Sequence, residues 1–424
     1  MKNLLFISIL LLGFQAAAEV VVPSDRVESF VTVRTQPSSD AAVKGRLSIG
    51  ESLEYISSIP YWYEVRWTDN SLGYVSKAFT EIRPDTLAVP AAFTIDVFDV
   101  ASGLAILVRG EDFSLLYDGG SNDDLARGAD NRLLAYLNHY HADLATIDHV
   151  MLSHPHRDHV ELLADVVNSY QIRHVWNSGV NYNDCGYRAF LQAVEAEPAV
   201  IYHDALRDHI VSTLEFNARR CYGEQIPQQT FTFSHGARID ESIVTLGVDA
   251  SMRFLHADGV NQTSVDENSL VILLSLGAAR ILIMGDADGG RSEDLASAPD
   301  PQSIVGQLLL CCKLELAADV LVVGKHGSAT ASPVSFLDAV DADYYLVSSG
   351  PSPYGATVLP EAAVIAELEL RGNVYGTYSD DTDCQTASSK IGTDNDGLAG
   401  GCTSFRISIV DSTISIAELS DTGS

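Results

Sequence analysis

The sequence predicts an α/β domain preceded by a small all-β module. Between residues 93 and 412, strand-like runs alternate with longer helical patterns, which is typical of an α/β fold. Residues 27–83 instead carry short runs of alternating apolar and polar residues separated by turn residues, which indicates a compact β domain. The stretch at 84–92 is interpreted as a linker between two separate cores.

Within the α/β domain, the pattern predicts the order of several elements. Strand-like runs open the domain at residues 93–97, 104–108 and 113–117, and helical patterns follow around 125–140 and 158–168. The last two predicted strands are 372–377 and 404–410, with an inserted polar loop over 379–402 between them. Residues 413–424 are predicted to form a C-terminal tail.

The first 18 residues have the pattern of a secretory signal peptide. Lys2 supplies a charged start, residues 4–14 are apolar, and the alanines at 16–18 form a small-residue cleavage site. The apolar run is shorter than the roughly 20 residues that a membrane span needs. We therefore expect an exported protein, periplasmic or secreted, with no stable membrane span after the signal is removed.

The charge balance restricts the binding partners. The chain has 57 aspartate and glutamate residues against 26 lysine and arginine residues, a net charge of -31. Such a charge argues against broad electrostatic attraction to DNA or anionic lipid. A nucleic-acid substrate would therefore have to be held locally.

The six cysteines are expected to form disulfides, because an exported chain meets an oxidising compartment. The predicted pairings, in order of preference, are Cys384 with Cys402 and then Cys185 with Cys221. Cys311 and Cys312 are adjacent in an apolar run and are interpreted as buried thiols.

A cluster of metal-binding residue types follows the strand-like run at 147–153. The cluster reads His154-Pro155-His156-Arg157-Asp158-His159. Imidazole and carboxylate groups in one turn can divide between two metal ions, His154 and His156 on one, Asp158 and His159 on the other. The alternative interpretation, a solvated histidine loop, is uncommon directly behind an apolar strand.

Two later strands also end in polar residues. Asp286 follows the run at 280–285, and His326 follows the run at 320–325. A carboxylate at a strand end can bridge two cations, and a final histidine can complete the second site. Either residue alone would be weak evidence, but their order after the first cluster predicts one shared site.

This ligand series resembles that of the metallo-β-lactamase superfamily. Further motifs resemble the hydrolase domain of the ComEC-type DNA-uptake proteins, namely Phe98-Asp99-Val100, Tyr117-Asp118-Gly119-Gly120, Asn268-Ser269-Leu270-Val271, Lys325-His326-Gly327-Ser328, Val347-Ser348-Ser349-Gly350 and Tyr354-Gly355. The resemblance covers residues 93–412. It implies a four-layer αβ/βα sandwich with two divalent metal ions at one edge, zinc being expected and manganese the alternative.

The motifs of the β module resemble those of the bacterial SH3 domain. They are Val33-Arg34, Gly45-Arg46-Leu47, Trp62-Tyr63-Glu64-Val65 and Gly73-Tyr74-Val75. Members of that family often bind cell-wall peptides, so Tyr61, Trp62 and Trp67 are candidates for a peptide groove. We favour the alternative that these aromatic residues belong to the core.

One departure from the resemblance concerns the first metal site. Most superfamily members have a histidine where this chain has Asn268, so that site is predicted to be poor in ligands. His256 is the nearest substitute, although a lone histidine is more often structural. The histidine pair that precedes Gly-Ser in the ComEC-type branch is reduced here to Lys325-His326.

The ligands suggest hydrolysis by a metal-bound hydroxide. Two cations sharing Asp286 would lower the pKa of a bridging water, and Asp158 would orient the attacking water. Lys325 and Ser328 are candidates for stabilising charge on substrate oxygens, with ordinary loop packing as the alternative. Asp118 is interpreted as a residue that supports the ligands from behind or as a structural group.

Three functions are compatible with these features. The first is hydrolysis of a phosphodiester, in a small molecule or a nucleic acid. The second is hydrolysis of an ester, lactone or amide near the cell wall. The third, and least favoured, is a non-catalytic protein that binds the wall or a partner. The fold and metal site are shared across many chemistries, so they do not select the substrate.

Overall fold

The chain forms two compact units, residues 1–90 and residues 91–424. The structure, a computed structural model, describes residues 19–24, 26–27, 29–48, 53–67, 71–84, 92–123, 125, 127–197, 199–205, 211–234, 239, 242–259, 264–351, 353–354, 357–379, 381–382, 384, 391, 400–410 and 413–419. The predicted signal peptide, and most of the predicted linker and inserted loop, lie outside these residues. No helix in these ranges combines the length and apolar character needed to cross a membrane.

The first unit is a seven-stranded antiparallel sheet. Its strands are β1 (Glu19–Pro23), β2 (Phe30–Arg34), β3 (Val43–Ser48), β4 (Leu53–Ile59), β5 (Trp62–Arg66), β6 (Leu72–Ser76) and β7 (Thr80–Pro84). Val33, Val65 and Val75 alternate with outward residues and form the centre of its core. Because β1 pairs with β4 and β7, the module begins before the predicted start at residue 27.

The three aromatic residues of this module have different environments. Trp67 packs against the core, as expected. Tyr61 is 84% exposed, and Trp62 lines a groove of about 560 Å³ together with Phe30 and Phe79. The expectation that all three belong to the core is therefore wrong for Tyr61 and Trp62, which lie at or beside the Ile59–Trp62 hairpin turn.

The second unit contains the predicted α/β domain. In chain order its strands are β8 (Phe93–Val97), β9 (Ile106–Arg109), β10 (Ser114–Tyr117), β11 (Thr146–Leu152), β12 (Gln171–Asn177), β13 (Ile201–Asp204), β14 (Val211–Phe216), β15 (Arg219–Cys221), β16 (Glu224–Ile226), β17 (Gln229–Ser234), β18 (Ile243–Gly247), β19 (Ala250–His256), β20 (Val271–Leu276), β21 (Ala279–Ile283), β22 (Val320–Val322), β23 (Tyr344–Val347), β24 (Asn373–Gly376), β25 (Ser404–Val410) and β26 (Thr413–Leu419). Its α-helices are α1 (Arg132–Tyr140), α2 (Arg157–Val160), α3 (Leu163–Ser169), α4 (Cys185–Ala196), α5 (Ile304–Cys311), α6 (Val334–Val340) and α7 (Ala362–Glu369).

Two mixed sheets face one another at the centre of this unit. The first has the order β13-β12-β11-β10-β9-β8-β25-β26, and the second has the order β18-β19-β20-β21-β22-β23-β24. The pairs β14-β17 and β15-β16 form separate two-stranded ribbons. One apolar core, which includes Ile95, Ile106 and Ile281, lies between the sheets.

Helices cover the outer face of each sheet. Helices α1, α3 and α4 pack on the first sheet, and α5, α6 and α7 pack on the second. Three of them begin where a side chain accepts a backbone N–H, at Asn131, Asp184 and Ser303. These layers form a four-layer αβ/βα sandwich and confirm the predicted fold class.

The predicted C-terminal tail is wrong over residues 413–419. This segment is strand β26, which pairs antiparallel with β25 along its whole length. Its sequence alternates Ile414 and Ile416 with polar residues, and both isoleucines pack against the core between the sheets. The segment therefore extends the edge of the first sheet.

The structure pairs all six cysteines. Cys384 bonds to Cys402 and Cys185 to Cys221, in agreement with the prediction. Cys311 and Cys312 bond to one another and are partly exposed, so their interpretation as buried thiols is wrong. The two cysteines lie at the C-terminal end of helix α5, where the preceding Leu310 is also exposed.

A column of aromatic rings lies on β11, β12 and β13. The imidazole of His149 stacks on His174 at 4.9 Å, and the indole of Trp176 stacks on His203 at 3.9 Å. The indole Nε1–H of Trp176 donates a hydrogen bond to Nδ1 of His149 over 3.1 Å. Burial and the neighbouring His174 lower the pKa of His149 to about 3. His149 is therefore neutral in the folded protein at mildly acidic pH.

We predict that His149 makes the unfolding free energy depend on pH. Its pKa is about 3 when folded and roughly 6.5 when unfolded, so the unfolded chain binds the extra proton between these values. Stability from this group is complete above pH about 6.5 and decreases as pH falls, by at most about 1.4 kcal/mol per unit. Replacing His149→Gln retains an acceptor for Trp176 and should flatten this slope.

The measurement is urea unfolding of chelator-treated protein at several pH values from 4.5 to 7.5. Chelation removes any contribution from metal loss at low pH. His174, whose pKa is also lowered by burial, leaves a residual slope in both proteins. Identical slopes for the wild type and His149→Gln would contradict the prediction.

Candidate metal centre

The predicted ligands meet where strands of both sheets end. Strand β11 leads directly to His154 and His156, and helix α2 then begins with Asp158 and His159 in its only turn. In the second sheet, β21 leads to Asp286, and β22 leads to His326. The carboxyl ends of these strands are the positions at which α/β folds place polar side chains next to one another.

These side chains form two groups that share one carboxylate. The first group is His154, His156, Asp266 and Asp286, and the second is Asp158, His159, Asp286 and His326. In each group the possible ligand atoms all lie within 4.8 Å of one another. The structure thus brings together the six predicted ligands and adds Asp266.

The first group is built around two imidazoles. Nε2 of His154 lies 3.1 Å from Nδ1 of His156, and the latter lies 2.9 Å from Oδ1 of Asp266. Oδ2 of Asp286 faces the same nitrogen of His154 at 3.8 Å. His154 is fully buried, and burial together with the nearby His159 lowers its pKa to about 3. Its imidazole is therefore neutral, as a metal ligand must be.

The second group is buried and has unpaired polar atoms. Oδ1 of Asp286 lies 3.2 Å from Nε2 of His159 and 3.5 Å from Nε2 of His326. None of these three atoms makes a hydrogen bond, although all are shielded from solvent. Two ligand atoms on a tetrahedral zinc ion would be about 3.3 Å apart, since each lies roughly 2.0 Å from the metal. The residues therefore fit a divalent cation.

Residues behind the second group orient its imidazoles. Nδ1 of His159 lies 2.7 Å from Oδ2 of Asp118, and Nδ1–H of His326 donates to the carbonyl of Ser348 over 2.9 Å. Asp118 also accepts the backbone N–H and the hydroxyl of Ser153. These bonds direct Nε2 of each histidine toward Asp286. Metal-binding histidines usually have such a carboxylate or carbonyl partner on their other ring nitrogen.

Burial and charge act in opposite directions on the shared carboxylate. Burial would raise the pKa of Asp286, but the charges of His159 and His326 outweigh it and hold that pKa well below its usual value. Asp286 is therefore ionised and can donate one oxygen to each group.

Asp266 is the residue that the sequence analysis missed. It lies in a short 3-10 turn, Asp266–Asn268, immediately before β20. Asn268 donates its side-chain N–H to the carbonyl of Ser264 and so stabilises this turn, and it belongs to neither group. His256 donates Nδ1–H to the carbonyl of Ser269 and also lies outside both groups. The prediction that the first group is poor in ligands is therefore wrong, because the carboxylate of Asp266, two residues before Asn268, joins His154, His156 and Asp286.

Two predicted charge-stabilising residues have other contacts. Nζ of Lys325 lies 3.0 Å from Oδ2 of Asp266 and also contacts Asp288. Burial would lower the pKa of Lys325, but these two carboxylates outweigh burial and raise it. The ammonium therefore stays protonated, and its positive charge is balanced by the two carboxylates. The hydroxyl of Ser328 accepts the backbone N–H of Thr330 and does not line the cavity at the site. Ser328 therefore fits the loop-packing alternative, and Lys325 is positioned to hold Asp266.

The loop after β22 has a left-handed backbone. Lys325 and His326 have φ values of 50° and 53°, and Gly327 follows with 82°. Such a conformation costs a non-glycine residue on the order of 1–3 kcal/mol. The N–H of Lys325 bonds to the carbonyl of Gly285 over 3.0 Å, which ties this loop to the one that carries Asp286.

An open cavity of about 390 Å³ gives access to both groups. Its lining includes His156, Asp158, Asp266, Asp286, Lys325 and His326, together with Asn122, Arg157, Tyr182, Asp184, Tyr354 and Leu359. The side chain of Arg157 is 44% exposed, and its Nε lies 3.9 Å from Glu161. Glu161 is already paired with Arg127 over 3.1 Å, so Arg157 can receive an anionic group.

Comparison with known protein families agrees with this geometry. The profile described as the metallo-beta-lactamase superfamily matches residues 99–350, which is more than half of the chain and includes every residue of both groups. The chain belongs to the metallo-beta-lactamase superfamily. It is accordingly a metal-dependent hydrolase. The profile described as the bacterial SH3 domain matches residues 29–81, which confirms the resemblance of the β module.

A curated relative supports the ComEC-type branch of the superfamily. The chain is 24% identical over 281 residues to "Recombination protein 2" of Haemophilus influenzae. The match covers 66% of this chain but only 27% of that protein. The chain thus spans about a quarter of the length of this relative.

The chain is also similar to solved structures of metallo-beta-lactamase fold proteins. The metallo-beta-lactamase fold protein YhfI from Bacillus subtilis is 14% identical with a TM-score of 0.38, over 68% of this chain and 97% of that protein. The metallo hydrolase Igni18 from Ignicoccus hospitalis is 10% identical with a TM-score of 0.36, over 67% and 95%. Likeness at this level carries no information on the substrate.

We predict that Asp266 and Asp286 contribute differently to metal binding. Asp286→Asn removes the shared charge between the two groups, so both metal equivalents should be lost or greatly weakened. Asp266→Asn affects only the first group and should reduce the content from two equivalents to about one. The metal content of zinc-loaded, dialysed protein is measured by mass spectrometry, with circular dichroism to check the fold.

His256→Asn is the matched control. Asparagine retains a donor for the carbonyl of Ser269, and His256 belongs to neither group, so both equivalents should remain. Retention of two tightly bound equivalents by Asp266→Asn, or loss of metal from His256→Asn, would show that the first group is assigned incorrectly.

Proposed function

We propose that this protein is an exported phosphodiester hydrolase that uses two divalent metal ions, with zinc expected and manganese as the alternative. The proposal depends mainly on Asp286, whose Oδ2 faces His154 while its Oδ1 faces His159 and His326. A shared carboxylate between two such groups is suited to a pair of cations, and paired cations suit phosphoryl transfer. Export is proposed from the signal-peptide pattern of residues 1–18.

The residues of the site have distinct roles in this proposal. His154, His156, Asp266 and Asp286 would hold one ion, and Asp158, His159, Asp286 and His326 the other. When bound, the two ions would supply Lewis acidity and would lower the pKa of a water molecule at the site. Asp158 lines the cavity and has its Oδ2 3.3 Å from His326, so its carboxylate can orient the attacking water.

Charge and volume restrict the form of the substrate. A net charge of -31 opposes extended binding to a duplex, while a cavity of about 390 Å³ admits a small diester or the end of a single strand. Arg157 lines this cavity and can pair with a phosphate oxygen. The similarity to "Recombination protein 2" over 281 residues also favours a nucleic-acid or related phosphodiester.

A second candidate is hydrolysis of an ester, lactone or amide near the cell wall. The bacterial SH3 match favours it, because the groove of about 560 Å³ in that unit combines Trp62 with Arg26 and Arg34. Aromatic and guanidinium groups of this kind suit a peptide that carries carboxylates. The SH3-like unit would then bind the wall while the second unit cleaves a component nearby.

The test is hydrolysis by the zinc- and manganese-loaded protein of bis(p-nitrophenyl) phosphate, a short single-stranded oligonucleotide, a homoserine lactone and a β-lactam. We expect the phosphodiesters to be cleaved with the largest kcat/KM. Asp286→Asn should be inactive on all four and serves as the control for contaminating enzymes. Cleavage of the lactone or β-lactam alone would replace the proposed substrate class with the second candidate.

A further inference from the structure

Tyr354 lines the cavity and is not used by the mechanism above. Its ring stacks on the imidazole of His326, with 5.0 Å between the centroids and 16° between the planes. Its hydroxyl oxygen is shielded from solvent and has no hydrogen bond of normal geometry within the protein, although the carboxylate of the predicted ligand Asp158 lies close enough to interact with it. Tyr354 thus places an unpaired donor beside a predicted metal ligand.

A buried hydroxyl without a partner is unfavourable. Leaving such a group unsatisfied costs on the order of 1–3 kcal/mol, and buried tyrosine hydroxyls usually have a partner. A native protein retains an unsatisfied group where a ligand, water or substrate supplies the missing bond. For Tyr354, the adjacent space is the cavity that also contains Asp158 and Asp286.

The hydroxyl of Tyr354 can supply the donor that the sequence analysis assigned to other residues. Lys325 is held by Asp266 and Asp288, and Ser328 caps the turn at Thr330. The charge of Lys325 is therefore balanced within the protein, and Ser328 lies outside the cavity lining. The hydroxyl of Tyr354 is not held in a salt bridge or a capping bond. Its neighbour Asp158 would be taken up by a metal ion in the loaded site, and a phenol is a hydrogen-bond donor at neutral pH.

We propose that Tyr354 is a catalytic residue whose phenol donates a hydrogen bond to an oxygen of the scissile group. This inference rests on the proposed function and identifies the acceptor as an oxyanion, such as a phosphate oxygen. The stack on His326 fixes the ring, so the donor is already oriented when the substrate binds. The bond strengthens as negative charge develops on that oxygen, so it acts mainly on kcat.

The test compares Tyr354→Phe with Tyr345→Phe in the full-length, zinc-loaded protein. Tyr345 is the matched control, because its hydroxyl is also buried without a partner but lies in the core of the second sheet. Both variants should retain two zinc equivalents and have a melting temperature equal to or higher than that of the wild type, because each removes a buried hydroxyl that has no good partner. Tyr354→Phe should lower kcat for bis(p-nitrophenyl) phosphate about 100-fold with little change in KM. Tyr345→Phe should stay within about twofold of the wild type for both constants.

Calorimetric titration with inorganic phosphate provides a readout that does not require turnover. Tyr354→Phe should bind phosphate about tenfold more weakly than the wild type, because the phosphate dianion has more negative charge on its oxygens than the diester substrate and so resembles the charge that develops in the reaction. Tyr345→Phe should bind it with the wild-type affinity.

Each outcome bears on the proposal. Unchanged kcat and phosphate affinity in Tyr354→Phe would overturn it, and so would loss of zinc, which would show that the hydroxyl acts on His326. If the wild type cleaves no phosphodiester, the proposed function fails, but the phosphate titration still decides the role of Tyr354. In that case weaker binding by Tyr354→Phe supports an oxyanion donor, whereas equal affinity, or no binding by the wild type, overturns it.

Discussion

Asp286 is buried between two groups of histidines, and each of its carboxylate oxygens faces one of them. An ionised carboxylate in such a place is stable only when cations or hydrogen-bond donors surround it. The ends of strands from both sheets must therefore meet at this point. Lys325 and His326 have a left-handed backbone, and the N–H of Lys325 donates to the carbonyl of Gly285. This hydrogen bond holds the loop that carries His326 next to the loop that carries Asp286.

The sequence predicted the parts of the molecule that depend on local patterns. Residues 281–284 and 320–323 are continuous apolar runs that contain most of β21 and all of β22, and His154 to His159 follow a similar run. These signals were sufficient for an α/β domain and for six of the seven residues in the two groups, whereas the four-layer sandwich was predicted from the family resemblance. Strand β26 was missed because its alternation is short and stands at the end of the chain, where a tail is the ordinary expectation.

Asp266 could not be predicted in the same way. Carboxylates are abundant in this acidic chain, and nothing in a single sequence distinguishes Asp266 from the neighbouring Glu267. Its selection depends on the 3-10 turn stabilised by Asn268, which brings its carboxylate within 2.9 Å of His156. Tyr354 is a similar case, since only the folded chain shows that its hydroxyl has no partner.

The contact between Lys325 and Asp266 also bears on the order in which the metal centre is assembled. The ammonium of Lys325 pairs with Asp266 and with Asp288 in the protein itself. The carboxylate of the first group is therefore compensated before any ion arrives, and this half of the site can keep its shape during maturation. In the second group the carboxylates of Asp158 and Asp286 are balanced instead by the imidazoles of His159 and His326, which must be neutral before they can bind an ion. Folding and metal acquisition can thus be separate events for the first group, while metal binding to the second is accompanied by proton release.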